Sequence, residues 1–159
     1  MYGQGLGPYR DQPRSATPLL EAVSMPRLLP KPPIILIVDD FDDALDIYEQ
    51  YLTFKGYCVV TARSGREAID AARTHRPAVI FMDLSMATMT GTEAMRALRS
   101  DASFSHVPIV AFTAHALQDE KQTALHAGFD EVLAKPCLPD ELVAAVMRLL
   151  ATPRLVQSL

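Results

Sequence analysis

The chain reads as an α/β protein, an open sheet of five parallel strands alternating with five helices. Three observations predict this. Short apolar runs rich in β-branched residues recur along residues 34–134, with the length and composition of strands buried on both faces. The segments between them carry helical periodicity and helix-capping residues. Acids close two of the runs, Asp39 and Asp40 after Ile34–Val38 and Asp83 after Ala78–Met82. Groups just beyond the carboxyl ends of strands sit where parallel sheets bind ligands.

The elements follow in order. Residues 1–33 carry Pro8, Pro13, Pro18, Pro26, Pro30, Pro32 and Pro33 with Gly3, Gly5 and Gly7, and read as an unstructured extension, because this composition breaks helices and strands alike. The first strand is expected at 34–38. Ala44, Leu45, Tyr48, Tyr51 and Leu52 then share one helical face, and Gly56 suits the position just past that helix. A second strand is expected at 57–61. Ser64 and Glu67 have capping-box spacing for the second helix. Strands at 78–82 and 108–112 flank a third helix, and Gly128 suits the end of a fourth. After a last strand at 131–134, Pro139 fits the first turn of a fifth helix whose apolar face holds Leu142, Val143, Val146, Leu149 and Leu150.

Repeated βα units with short connections require right-handed crossovers and a sheet covered on both faces. The expected topology is flavodoxin-like and doubly wound, with strand order 2-1-3-4-5. The ordered domain is expected over 34–151, with 152–159 as a short tail and no second domain.

Composition narrows the function. The chain has 159 residues, is 49% hydrophobic and carries a net charge of -4. Its scattered Lys and Arg offer no electrostatic footprint for nucleic acid. No apolar stretch approaches the ~18–20 residues that span a bilayer, and no secretory leader is evident, so the expected location is cytoplasmic. Cys58 and Cys137 lack metal or redox spacing and read as structural thiols. His75, His106, His115 and His126 lack ligand spacing and read as surface or loop residues, while Met86 and Met89 read as packing.

With the strands so placed, Asp39 and Asp40 end the first, Asp83 the third, Thr113 the fourth and Lys135 the fifth. All five polar groups then share the carboxyl edge. Each alone has an ordinary explanation: Asp39 and Asp40 as helix caps, Thr113 as a β-branched strand residue, Lys135 as a snorkelling surface lysine. Together they make a site. Three clustered carboxylates repel one another unless a cation joins them, and an oxygen-lined site of this kind suits Mg²⁺. A carboxylate attacks a phosphoryl group when a metal and a lysine neutralise the phosphoryl oxygens and a hydroxyl bonds one of them. Asp83 is then the phosphoacceptor, Asp39 and Asp40 hold the metal, Lys135 pairs with phosphoryl oxygens and Thr113 donates a hydrogen bond.

Four strings, Ile35–Asp40 (ILIVDD), Phe81–Gly91 (FMDLSMATMTG), Val110–Ala114 (VAFTA) and Ala127–Pro136 (AGFDEVLAKP), together resemble the receiver domains of two-component response regulators. The resemblance covers residues 34–151. It implies phosphotransfer from a phosphohistidine on a histidine kinase or histidine phosphotransfer protein, Mg²⁺ dependence, a cis Lys135–Pro136 bond, and the Ser85 backbone carbonyl in the metal shell. It also implies output through the fourth helix, fifth strand and fifth helix to a downstream protein, with the donor docking near the first helix and the Pro136–Pro139 loop. The expected protein is a stand-alone regulator or a phosphorelay shuttle, and not an enzyme acting on a separate substrate.

The departures from the family pattern are specific. Ala87 and Thr90 stand where the family commonly has Pro and Asp, which predicts a looser loop after Asp83. Val132 falls at the aromatic switch position, so the output change is expected to rest on Thr113 and the loop before the fourth helix. Ser85 and His115 resemble positions that tune dephosphorylation. Two competitors remain: a phosphatase working through an aspartyl phosphate, disfavoured because Ser85 stands where its second acid belongs, and a pseudo-receiver that binds a protein without phosphorylation.

Overall fold

The computed structural model describes residues 31–114 and 117–152. The expectations for residues 1–30, His115 and 153–159 lie outside them. Five strands, β1 (Ile34–Val38), β2 (Cys58–Ala62), β3 (Val79–Asp83), β4 (Ile109–Thr113) and β5 (Glu131–Ala134), form one parallel sheet in the order β2-β1-β3-β4-β5. Helices α1 (Asp42–Phe54), α2 (Gly65–His75), α3 (Gly91–Arg99), α4 (Gln118–Ala127) and α5 (Pro139–Ala151) alternate with the strands. This is the flavodoxin-like arrangement expected from the sequence.

Strand alternation divides the core in two. Leu36, Val38, Ile80, Met82, Ile109 and Ala111 face α2, α3 and α4, whereas Ile35, Ile37, Phe81, Val110 and Phe112 face α1 and α5. Each central strand is therefore apolar on both faces up to its carboxyl end, where β3 closes with Asp83 and β4 with Thr113, which is why it reads as a continuous hydrophobic run. Fully burying one such Leu, Ile or Phe is worth about 1.5–3 kcal/mol.

The helix signals resolve with small differences. On α1, Leu45, Tyr48 and Leu52 are buried, and on α5 Leu142, Ala145 and Val146 are. Pro139 is the first residue of α5. Gly56 and Gly128 take φ of 92° and 123°, backbone that favours glycine past a helix end. The Ser64 hydroxyl accepts from the Glu67 amide, but Glu67 accepts in return from the Arg63 amide, so the box closes one residue earlier than its spacing suggests. Strands β2, β3 and β4 each lie one residue later than expected. Asp83 and Thr113 are consequently the last paired residues of their strands and not the first loop residues. Their backbones are held by the ladder, which continues one residue past β3 and β5: Leu84 N–H donates to the Phe112 carbonyl at 3.0 Å and Lys135 N–H to the Thr113 carbonyl at 2.8 Å.

Candidate functional site

At the carboxyl edge of the sheet, β1 delivers Asp39 and Asp40, β3 Asp83, β4 Thr113 and β5 Lys135. One carboxylate oxygen from each of Asp39, Asp40 and Asp83 lies within 4.8 Å of the others. Asp39 is fully buried and Asp83 is 4% exposed, while Asp40 opens to solvent. Two buried carboxylates this close are tolerated only with a compensating cation. Lys135 meets that need, its Nζ standing 2.5 Å from Asp39 Oδ2 and 3.2 Å from Asp83 Oδ2.

Burial by itself lowers the Lys135 pKa, but the hydrogen bond to Asp39 and the charges of Asp83 and Asp39 outweigh it and raise the net value. The ammonium is thus the stable form. Its contribution to stability is complete below the ordinary lysine value near ~10.4 and is lost as pH rises through the still higher folded value.

Backbone donors hold the carboxylates from the other side. The Phe41 amide donates to Asp39 Oδ1 at 3.0 Å and the Ser85 amide to Asp83 Oδ1 at 3.2 Å. Asp39 thus gives one oxygen to the turn that leads into α1, without capping the helix, while its second oxygen faces Lys135. Thr113 is 5% exposed and lines a groove between α3 and α4 together with Ser85. The Lys135–Pro136 peptide is cis, as the resemblance implies.

Thr90, one of the two departures in the loop after Asp83, anchors the far end of that loop. Thr90 caps α3 in a reciprocal box, its hydroxyl accepting from the Glu93 amide at 3.2 Å and its amide donating to Glu93 Oε2 at 2.9 Å. The Thr90 amide, and then its hydroxyl donating to the same Glu93 Oε2 at 3.0 Å, hold the Glu93 carboxyl below its usual range. Met86 is buried in the core, and Met89 packs against it. Val132 is half-buried on the same core. His75, His106 and His126 are exposed. Cys58 is exposed and Cys137 buried; burial, then the nearby Glu141, pushes the Cys137 thiol up to about 11.

Three contributors escaped the sequence reading. Gly91 packs so closely that a Cβ there would lie 2.1 Å from the Asp83 carbonyl oxygen. Tyr48, assigned only to the core face of α1, also donates its hydroxyl to the Cys137 carbonyl at 3.2 Å, tying α1 to the loop after Lys135. Arg99, half-buried, pairs with Asp130 at 2.6 Å and binds the Phe104 and Val107 carbonyls, fastening the connections around β4. Only the Thr90–Gly91 pair that opens α3 hints at the first of these.

Residues 35–147 match the family described as the response regulator receiver domain. Over 105 residues the chain is 30% identical to the polar-differentiation response regulator DivK of Brucella anthropi, covering 66% of this chain and 85% of DivK. Over 118 residues it is 38% identical to the transcriptional regulatory protein PrrA of Mycobacterium tuberculosis, which is 74% of this chain but 50% of PrrA. The chain thus spans half the length of that relative. Among solved structures it resembles the chemotaxis response regulator CheY4 of Vibrio cholerae, with a TM-score of 0.70 and 32% identity over 74% of this chain and 98% of CheY4. The receiver domain of the sensor histidine kinase PA1611 of Pseudomonas aeruginosa, solved with a magnesium ion coordinated in its active site cleft, matches with a TM-score of 0.70 and 32% identity over 76% of this chain and 99% of that one.

Proposed function

This chain belongs to the response regulator receiver domain family, and from that premise we propose that it accepts a phosphoryl group on Asp83 from a phosphohistidine donor and signals through a phosphorylation-dependent protein contact or an onward relay. Receiver domains are signalling modules that take phosphoryl groups from histidine kinases, not enzymes acting on separate substrates. The observation that carries the reading is Lys135 Nζ bridging Asp39 and Asp83 inside a three-carboxylate cluster.

The donor set fits Mg²⁺, because it is all oxygen, largely buried and more negative than one lysine can neutralise. Asp39, Asp40, Asp83 and the Ser85 carbonyl would hold it. When bound, the ion neutralises the phosphoryl oxygens that would otherwise repel the attacking carboxylate. An Asp83 oxygen attacks phosphorus and forms the acyl phosphate. Lys135, 3.2 Å from Asp83, is close enough to pair with one phosphoryl oxygen there, and Thr113 donates its hydroxyl to another. With Val132 in place of a movable ring, Thr113 and the connection from β4 to α4 carry the conformational response to a downstream protein at the α4–β5–α5 face. Histidine kinases or histidine phosphotransfer proteins are the donor class, and the expected setting is the cytoplasm; no described helix is long and apolar enough to cross a membrane. Val132 favours one second reading, a pseudo-receiver that binds a partner without switching.

Mass spectrometry after incubation with acetyl phosphate separates the two. A labile gain of ~80 Da that requires Mg²⁺ and disappears in Asp83→Asn supports the phosphoacceptor. No adduct from acetyl phosphate or from a phosphohistidine donor leaves the pseudo-receiver.

A further inference from the structure

The phosphoryl site opens into a cavity of about 600 Å³, far larger than a phosphoryl group needs, whose lining combines Asp83 and Lys135 with Phe41, Ile47, Ala114 and Pro136. Asp39 lies beside the first two and Asp43 adds a further charge on α1, but most of the lining surface is apolar. Phe41 is the least expected member. It occupies the N-cap of α1, where Ser, Thr, Asp or Asn would satisfy a free amide, and it makes no side-chain cap bond there. The residue is 70% exposed. Its backbone, by contrast, is fixed: the amide donates to Asp39 Oδ1 at 3.0 Å, and the carbonyl accepts from the Ala44 and Leu45 amides, each at 3.2 Å. A large apolar side chain that forgoes capping, rigidly based and facing a charged site, breaks a local rule where functional sites are expected to break them.

We infer that this cavity is a leaving-group subsite for the imidazole ring of the donor, with Phe41 as its stacking wall. The inference rests on Asp83 being the phosphoacceptor. In the transfer, the Asp83 Oδ–P bond forms as the P–N bond breaks, and the bonding pair stays on the ring nitrogen. With the other ring nitrogen already protonated, the ring departs as neutral imidazole and no further proton is needed. A neutral planar ring suits an apolar wall and an aromatic face. Acetate leaving from acetyl phosphate would instead bring negative charge beside Asp39 and Asp40, and ammonia leaving from phosphoramidate has no face to stack.

The test compares two P–N donors that differ in the ring. Initial rates of Asp83 phosphorylation of the full chain, with Mg²⁺, are measured by mass spectrometry using N-phosphoimidazole and phosphoramidate, and the ratio of the two rates is read. In Phe41→Ala the ratio falls roughly fivefold, equivalent to about 1 kcal/mol of lost stacking. Phe41→Leu, which keeps apolar bulk without a π face, shows a similar fall, and Phe41→Trp keeps the wild-type ratio. Because the ratio cancels any general damage to the site, a Phe41→Ala ratio within roughly twofold of wild type overturns the subsite, whichever way the separate rates move. Wild-type protein labelled by neither donor would overturn the phosphoacceptor reading and the subsite with it. Labelling with an unchanged ratio overturns the subsite alone.

Discussion

Gly91 sets the clearest residue-scale constraint on the site. Replacing a helical glycine by alanine ordinarily gains up to ~1 kcal/mol of helix propensity. Here the new methyl would meet the Asp83 carbonyl oxygen at 2.1 Å and the Leu84 Cα at 3.1 Å, and backbone cannot swing aside as a flexible side chain can. Overpacking of this kind costs about 1–3 kcal/mol, so the clash decides the sign. Gly91→Ala is expected to lower the urea midpoint and, by shifting the strand end that carries Asp83, to slow phosphorylation; equal stability and rate would show that α3 can slide away. The same residue marks the limit of sequence reading at this scale. Asp39, Asp40, Asp83, Thr113 and Lys135 were legible because each ends an apolar run, a feature of chain order. Gly91, Tyr48 and Phe41 matter through contacts made in space, and, beyond the Thr90–Gly91 pair, nothing in their local pattern distinguishes them from an ordinary helix start, a core aromatic and a surface apolar residue.

At the scale of elements, α3 shows how capping compensates for a loop of unusual composition. The stretch from Ser85 to Met89 lacks the proline that would stiffen it, yet Thr90 and Glu93 satisfy each other's backbone amides at its far end. Asp is at least as good an N-cap as Thr, whereas Ala cannot accept the bond. Thr90→Ala is therefore expected to lose about 1 kcal/mol by chemical denaturation, and Thr90→Asp to lose little or nothing. Equal losses in both variants would assign the effect to the loop and not to the cap. The strands were legible to within one residue because their apolar runs are unbroken, and α1 and α5 because their faces are amphipathic. Helix α4 was less so: its only described buried residue is Ala124, and an almost wholly polar helix leaves little periodic signal. The 3₁₀ turn at Ala102–Phe104, capped by the Asp101 carboxylate, was also unanticipated, since a single turn has no period to detect.

For the whole molecule, the site sets a tension between fold and function. The parallel sheet gathers three carboxylates at one edge and buries two of them, while Lys135 supplies one positive charge to the cluster. The excess negative charge opposes folding, and any cation that binds the folded cluster more tightly than the unfolded chain stabilises the fold by mass action. Mg²⁺ is expected to raise the melting temperature progressively, adding about 1.4 kcal/mol for each tenfold increase once its concentration passes the dissociation constant. NaCl of matched ionic strength should not reproduce this, because screening acts weakly on buried charges. Asp83→Asn and Asp39→Asn each remove a ligand, so each variant should be less responsive to Mg²⁺; Asp83→Asn, which relieves one repelling charge and keeps the Asp39–Lys135 pair, should also hold metal-free stability close to or above that of wild type, whereas Asp39→Asn loses that buried pair and should fall below it. A melting temperature that ignores Mg²⁺ in the wild type, or responds equally in these variants, would mean that Lys135 alone balances the cluster and that no metal is held there.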